Sequence, residues 1–187
     1  QAERAGKIIS RIREFVKRSE PRRQRVPAAR ILDNAISFAD IDARKRQVLI
    51  EKTLPDTLPD VLADPILIEQ VLLNLLKNGV EAMEHSEYRT LHVVLTDQSS
   101  VLEFAIIDRG HGLKDPERLF EPFYSTKSEG LGMGLNICRT IIESHHGRLW
   151  ATANPEGGTI FRFTLPNAGE SNNNETRPNP NHQELQA

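Results

Sequence analysis

The stretch between Pro65 and Met83 constrains the fold of this chain most, because its apolar residues cover a broad face of one helix. Proline suits the first turn of a helix, so the helix is predicted to begin at Pro65. The apolar positions recur at three- and four-residue spacing and comprise Ile66, Leu67, Ile68, Val71, Leu72, Leu75 and Leu76. Such a helix must be buried over that face in the folded protein.

Strands are predicted on both sides of this helix. Their β-branched and apolar runs fall at residues 47–53, 61–63, 91–96, 101–108, 148–153 and 159–165. The polar residues 97–100 and the glycine-containing residues 154–158 separate the last four strands into two hairpins. A further helix is predicted from Gly132 or Gly134 to about His146, where Gly147 is placed to end it.

A loop of about twenty residues separates the strand predicted at residues 101–108 from the later helix. This loop follows Asp108 and is punctuated by glycines. It is too long for a plain connector in a compact domain, which indicates a lid or a binding loop.

The two ends of the chain differ from its centre. Residues 1–20 are predicted to form an amphipathic helix, and residues 21–26, with their arginines, a polar linker. The main domain is predicted over residues 27–166, with a helix from Pro27, and a disordered tail over residues 167–187. Because the sequence begins with neither Met nor a signal peptide, we expect a fragment of a longer protein.

Composition limits the class of protein. The 187 residues suffice for one core, and the net charge of -2 from 24 basic and 26 acidic residues argues against a nucleic-acid surface. Cys138 is the only cysteine, so neither an internal disulfide nor a thiolate metal cluster can form within one chain. No apolar run reaches the roughly 20 residues that span a bilayer, and we expect a soluble, cytoplasmic chain.

Two carboxamides lie four residues apart on the long apolar helix, at Asn74 and Asn78. This spacing places both on one helix face. Amide oxygens are hard neutral ligands that suit Mg²⁺. Taken alone, the pair is better explained by ordinary capping or core hydrogen bonds than by a functional site.

Two glycine-containing motifs follow. The first motif is Asp108-Arg109-Gly110-His111-Gly112, which follows a predicted strand. An aspartate at a strand end can accept a hydrogen bond from an exocyclic amine such as that of adenine, and the glycines let a flat base approach. An ordinary glycine-rich turn would look similar. Residues 130–135, Gly-Leu-Gly-Met-Gly-Leu, precede a helix, so their N–H groups can face an anion. This spacing fits neither a P-loop nor a dinucleotide-binding fingerprint.

The order of these motifs resembles the catalytic domain of bacterial two-component sensor histidine kinases. The paired asparagines, Asp-x-Gly-x-Gly, the run Phe120 to Lys127 and the glycine motif at residues 130–135 are similar to that family's N, G1, F and G2 boxes. The likeness covers residues 1–166 and is greatest to the oxygen-sensor and nitrogen-regulatory subgroup. It implies a two-layer α/β sandwich, in which three helices cover one face of a mixed sheet and an amphipathic helix precedes them.

The resemblance also implies a ligand and a set of contacts. ATP and Mg²⁺ would bind in the domain at residues 27–166, with Asn78 as the metal ligand, Asn74 as its partner near the phosphates, and Lys127 at the terminal phosphates. Asp108 would read adenine, and Phe120 and Phe123 would pack the lid. The full nucleotide-facing set is Asn74, Asn78, Glu81, Asp108, Gly110, Gly112, Lys127, Gly130, Leu131, Gly132, Met133, Gly134 and Leu135.

The same comparison favours transfer of phosphate over hydrolysis. Hydrolytic members of the wider superfamily, such as gyrase and the Hsp90 chaperones, have a glutamate base where Asn74 stands, and an amide cannot take a proton from water at neutral pH.

No histidine here lies in the family's acceptor setting. Residues 1–20 resemble the second helix of the dimerisation hairpin, so the expected partners are a histidine-bearing hairpin, a response-regulator receiver domain and a second copy of the full-length protein. A nucleotide-binding adaptor and a hydrolytic ATPase remain the alternatives.

Overall fold

The structure, a computed structural model, describes residues 21–113, 118–121 and 134–169. Three helices lie in these ranges: α1 (Ala28–Lys45), α2 (Pro65–Ala82) and α3 (Gly134–Ser144). The strands are β1 (Gln24–Pro27), β2 (Leu49–Thr53), β3 (Asp60–Ala63), β4 (Thr90–Asp97), β5 (Val101–Ile107), β6 (Leu149–Ala153) and β7 (Thr159–Pro166). None of the helices in the described ranges is long and apolar enough to cross a membrane. The helix predicted over residues 1–20 lies outside these ranges.

Five strands form one mixed sheet in the order β2-β4-β5-β7-β6. The β2–β4 pair is parallel and the other pairs are antiparallel. Both predicted hairpins, β4–β5 and β6–β7, are therefore confirmed. So is the α/β fold, in which the three described helices pack on a mixed sheet.

Alternate residues of the central strands form the core beneath the helices. Phe104 of β5 and Phe163 of β7 are directly paired, and their rings stack with centroids 4.6 Å apart and planes 7° apart. Both rings are fully buried against the apolar face of α2 and its neighbours. Burying a side chain of this size contributes about 1.5–3 kcal/mol, so this pair helps to fix the register of the strands that carry the site.

The long helix begins where the sequence predicts, and Asp64 caps it. Its Oδ1 accepts hydrogen bonds from the backbone N–H groups of Ile66 at 3.1 Å and Leu67 at 3.4 Å. Pro65 follows the cap, where its missing N–H costs nothing. This cap stabilises the start of the helix that carries Asn74 and Asn78.

The linker predicted over residues 21–26 is wrong for its second half. Residues 24–27 form β1, which pairs antiparallel with β3. Val26 is fully buried, and the Arg25 guanidinium donates to the carbonyl of Ala168. Strand pairing uses backbone groups, so a short segment with Gln24 and Arg25 can form a strand despite these polar side chains.

The tail predicted from residue 167 also begins too early. The backbone N–H of Asn167 donates to Ser100 at 2.9 Å and that of Ala168 to Asp60 at 2.7 Å, and Ala168 is buried. These two residues therefore belong to the domain. Residues 170–187 lie outside the described ranges.

The ends of α1 and α3 are each followed by a residue with a left-handed backbone conformation, which the sequence did not indicate. Gln47 has φ of 58° and His146 has φ of 60°. Each closes its helix through a backbone bond from the next residue, Val48 to Ala43 and Gly147 to Ile142. The strand predicted from Gln47 consequently starts at Leu49, and the helix predicted to reach His146 ends at Ser144.

Gly147 has a different role from the one predicted for it. It follows the left-handed residue instead of occupying that position, and a Cβ there would collide with the Thr164 carbonyl. A close approach to β7, and not a left-handed backbone, therefore requires glycine at this position.

Candidate nucleotide-binding site

Asn74 and Asn78 of α2 lie in contact, as their spacing predicts. Asn78 Nδ2 donates a hydrogen bond of 3.3 Å to Asn74 Oδ1, and both side chains are half-buried. Neither amide can accept or release a proton at neutral pH. The pair can therefore orient a ligand or coordinate a cation, but it cannot act as a general base.

The first turn of α3 packs directly against this pair. A Cβ at Gly134 would collide with the Asn74 side chain, 2.9 Å from Oδ1. One turn later, Cys138 Sγ accepts a hydrogen bond from Asn74 Nδ2 at 3.4 Å. The glycine that begins α3 and the two carboxamides are thus brought together, at the positive end of a helix.

Asp108 stands directly after β5 and is buried. Its Oδ1 accepts backbone N–H bonds from Gly110 at 2.9 Å and Thr159 at 3.1 Å. Burial raises the pKa of the Asp108 carboxyl above its ordinary value, and these two hydrogen bonds oppose part of that rise. Both of these hydrogen bonds go to Oδ1.

Residues of the β6–β7 turn hold Asp108 in place, and sequence reasoning missed them. Asn154 Nδ2 donates to the Asp108 carbonyl oxygen at 2.9 Å. Gly158 has φ of 91°, and a Cβ there would lie 2.6 Å from Asp108 Oδ1. Adjacent glycines at 157 and 158 were the available signal, but they were interpreted only as a hairpin turn.

The two glycines after Asp108 differ in what they do. A Cβ at Gly110 would lie 2.5 Å from the Ala82 carbonyl carbon, so this glycine lets the loop approach the end of α2. Gly112 has φ of 74°, a backbone conformation that favours glycine. Gly110 therefore lets its loop pack against α2, and the approach of a base to Gly110 and Gly112 stays a prediction.

Arg109 links this loop to its surroundings. Its guanidinium forms an ion pair with Glu156 of the β6–β7 turn and lies 5.0 Å from the ring centroid of Tyr88. The hydroxyl of Ser86 donates to the Arg109 carbonyl at 2.8 Å. Arg109 thereby connects the loop after Asp108 to the β6–β7 turn and to the segment that contains Ser86 and Tyr88.

The remaining candidates are placed less completely. Glu81 lies one turn beyond Asn78, with its Oε1 3.7 Å from Lys77 Nζ. Leu135 packs against the core. The candidates outside the described residues are Lys127, Gly130, Leu131, Gly132 and Met133, and so is the lid residue Phe123.

The packing role expected for Phe120 is supported. Its side chain is partly buried against the core, and its carbonyl accepts a 2.8 Å hydrogen bond from Asn136 Nδ2 of α3. This contact fastens one described part of the long loop to the helix that carries Gly134.

Acidic and metal-binding side chains do not cluster at this site. Within residues 21–113, 118–121 and 134–169, no group of three or more histidine, cysteine, aspartate or glutamate residues could hold a metal ion.

Residues 63–169 match the family described as histidine kinase-, DNA gyrase B- and HSP90-like ATPases. The match includes Asn74, Asn78, Asp108 and Gly134. This chain belongs to that ATPase family. Membership implies the use of ATP.

Curated relatives of this ATPase-family chain are sensor proteins. The C4-dicarboxylate transport sensor protein DctS of Rhodobacter capsulatus is 45% identical over 171 residues, which cover 89% of this chain and 26% of DctS. The sensor protein FixL of Bradyrhizobium diazoefficiens is 41% identical over 174 residues, which cover 91% of this chain and 34% of FixL. The chain thus spans a quarter to a third of the length of these relatives.

Solved structures agree with this family. The catalytic domain of histidine kinase ThkA matches with a TM-score of 0.69 at 25% identity, covering 78% of this chain and 95% of that domain. The resemblance to sensor histidine kinases noted from the sequence motifs is therefore confirmed by both sequence relatives and fold.

Proposed function

We propose that this chain is the ATP-binding kinase domain of a sensor histidine kinase. It transfers the γ-phosphate of ATP to a histidine on a dimerisation hairpin, from which a response-regulator aspartate receives it. The amide side chain of Asn74, which contacts Asn78 on α2, supports this proposal most directly. An ATP hydrolase needs a base that can take a proton from water, and the amide of Asn74 cannot do so.

Asp108 is assigned to the base of the nucleotide. Its buried carboxylate has both backbone hydrogen bonds on Oδ1, which leaves the position of Oδ2 for the exocyclic amine of adenine. Adenine carries an amine donor where guanine carries a carbonyl acceptor. A carboxylate at this point consequently selects ATP over GTP.

Asn78 is assigned to magnesium. Its Nδ2 is directed to Asn74, so the oxygen is the end of the amide that suits a cation. Mg²⁺ takes few protein ligands and keeps water and phosphate oxygens, which fits an amide ligand where the described residues form no acidic cluster. When bound, the ion neutralises charge on the phosphates.

The phosphates are assigned to the start of α3. The backbone N–H groups after Gly134 lie at the positive end of that helix, and Gly134 abuts Asn74. Lys127 and the glycines at 130 and 132 are assigned to the same end of the nucleotide. In the reaction an imidazole nitrogen bonds to the γ-phosphorus as the bond to the β-bridging oxygen breaks, and ADP leaves.

The remaining assignments concern the whole protein. We infer that it is a cytoplasmic kinase portion acting as a homodimer, with its own hairpin and a receiver domain as partners, and with no role in binding nucleic acid. The similarity to DctS and FixL, both named as sensor proteins, supports these assignments.

Labelled ATP tests the proposal. The chain is incubated with Mg²⁺ and γ-labelled ATP, alone and with the dimerisation hairpin of a sensor histidine kinase. We expect no labelling of the chain alone and acid-labile, base-stable label on the hairpin. An Asn78→Ala variant serves as the control for metal-dependent transfer.

The other outcomes distinguish other functions. Steady release of inorganic phosphate by the chain alone would indicate a hydrolytic ATPase. Tight ATP binding without transfer to the hairpin would indicate a nucleotide-binding adaptor. Acid-stable label on the chain itself would contradict transfer to histidine.

A further inference from the structure

A row of hydrogen bonds crosses from α3 to α2 beside the proposed phosphate end. Cys138 Sγ lies 4.0 Å from the carbonyl oxygen of Val71 and accepts from Asn74 Nδ2 at 3.4 Å. Asn74 Oδ1 then accepts from Asn78 Nδ2 at 3.3 Å. Cys138 and Val71 are buried, and Asn78 is half-buried.

The chemistry of its first member gives the row a direction. A carbonyl oxygen only accepts, so the Cys138 S–H must be the donor to Val71. The sulfur lone pairs then face Asn74, which must turn its NH₂ toward them and its oxygen toward Asn78. Asn78 in turn gives its NH₂ to Asn74, so that its oxygen is the end turned away from Asn74.

Burial keeps the donor of this row in place. It raises the pKa of the Cys138 thiol to about 12, so the S–H donor is retained at neutral pH. α3 also approaches Asn74 through Gly134, where an added Cβ would collide with Asn74 Nδ2. Asn74 therefore faces two residues of α3, the protonated Cys138 and Gly134.

We propose that Cys138 is a positioning residue that sets, through Asn74, the orientation of the Asn78 carboxamide toward magnesium. This inference rests on the proposed function, because it takes Asn78 as the metal ligand. The competing explanation is that Cys138 only fills space in the core, as a buried free cysteine commonly does. The positioning role and the packing role differ in whether the polarity of the Cys138 side chain affects the binding of magnesium.

A pair of variants separates polarity from volume. Cys138→Val keeps the bulk and removes donor and acceptor, whereas Cys138→Ser keeps both and loses some bulk. ATP affinity is measured by titration calorimetry with Mg²⁺ and with EDTA. We expect Cys138→Val to reduce the magnesium enhancement about three- to tenfold with unchanged affinity in EDTA, and Cys138→Ser to stay close to the unmodified chain.

Several results would overturn the proposal. Full magnesium enhancement in Cys138→Val, equal losses in both variants, or a loss of the same size in EDTA would each leave a packing role only. Thermal melting confirms that each variant is folded. If Cys138→Val does not fold, Cys138→Ala replaces it, because it removes the same hydrogen bonds without a branched side chain.

A nucleotide-free measurement keeps this inference separate from the proposed function. The side-chain NH₂ signals of Asn74 are identified in ¹H–¹⁵N spectra by their loss in Asn74→Ala. They should shift in Cys138→Val and change much less in Cys138→Ser. Unchanged signals in Cys138→Val would refute the hydrogen-bond row alone, whereas absence of ATP binding by the unmodified chain would refute the proposed function and the metal assignment.

Discussion

His145 Nε2 accepts a hydrogen bond of 3.1 Å from the backbone N–H of Asp64, which joins the end of α3 to the cap of α2. On its other side, Nδ1 lies 2.7 Å from the carbonyl oxygen of Ile141 and must donate to it. The fully buried ring therefore needs to be neutral, with its proton on Nδ1. A second proton would remove the acceptor that Asp64 uses.

We expect His145 to lower the free energy of unfolding of the domain in mild acid. Burial lowers its pKa below 6.5, and Arg23 and His146 act in the same direction against Ile141 and Asp64. Below pH 6.5 the unfolded chain binds more protons at this residue than the folded chain does. This contribution to the free energy of unfolding is therefore complete above pH 6.5 and is lost as the pH falls toward the folded pKa.

Urea unfolding between pH 7.5 and pH 5 measures this effect. His145→Gln should lose less stability over that interval than the unmodified chain does. His85→Gln, at an exposed histidine, provides the matched control. Identical slopes for all three proteins would show that His145 does not control this acid sensitivity.

Replacing Asp108 by asparagine should separate binding from stability. The amide oxygen can still accept from Gly110 and Thr159, and the burial cost of a charge disappears, so the melting temperature should not fall. An NH₂ group would then face the adenine amine, and ATP affinity should fall about ten- to a hundredfold. GTP affinity should not fall, because the amide can donate to guanine O6.

Titration calorimetry with ATP and GTP checks the Asp108→Asn prediction. Asp56→Asn, at an exposed aspartate, provides the control for the loss of one negative charge. Undiminished ATP affinity in Asp108→Asn would mean that another residue reads the base.

Two neighbouring glycines offer a matched test of the turn behind Asp108. Gly157 and Gly158 have φ of 93° and 91°, so alanine is strained at both, by about 1–2 kcal/mol. A Cβ at Gly157 meets nothing within 4 Å, whereas one at Gly158 lies 2.6 Å from Asp108 Oδ1. Gly158→Ala should therefore destabilise the domain more than Gly157→Ala and should also weaken ATP binding.

Chemical denaturation and ATP titration of both glycine variants provide the measurement. The difference between them isolates the contact with Asp108, since their backbone strain is similar. Equal unfolding free energies and equal ATP affinities in the two variants would show that the turn adjusts to the added Cβ without moving the Asp108 carboxylate.

Asn78→Ala should remove most of the magnesium enhancement of ATP binding, by roughly tenfold or more. Binding in EDTA should change little, because Asp108 and the backbone around it do not involve Asn78. Asn34→Ala, at an exposed asparagine of α1, should retain the enhancement. An equal loss with and without metal, in a folded variant, would identify Asn78 as a structural amide.

Local sequence determined the parts of this protein that depend on neighbours within a few residues. The periodic apolar residues after Pro65 are sufficient to predict α2, and four-residue spacing is sufficient to place Asn74 beside Asn78. The position of Asp108 at a strand end likewise follows from the apolar run before it. Helical periodicity and strand alternation are short-range properties, so the sequence expresses them directly.

Only the tertiary structure decided which distant residues complete the site. Asn154 and Thr159 reach Asp108 across 46 and 51 residues of sequence, and Cys138 reaches Asn74 across 64. Gln24–Pro27 becomes a strand because β3 lies beside it, although its polar sequence predicted a linker. These contacts use backbone groups or single side chains whose partners are set by how the helices and the sheet pack, and no local pattern encodes that packing.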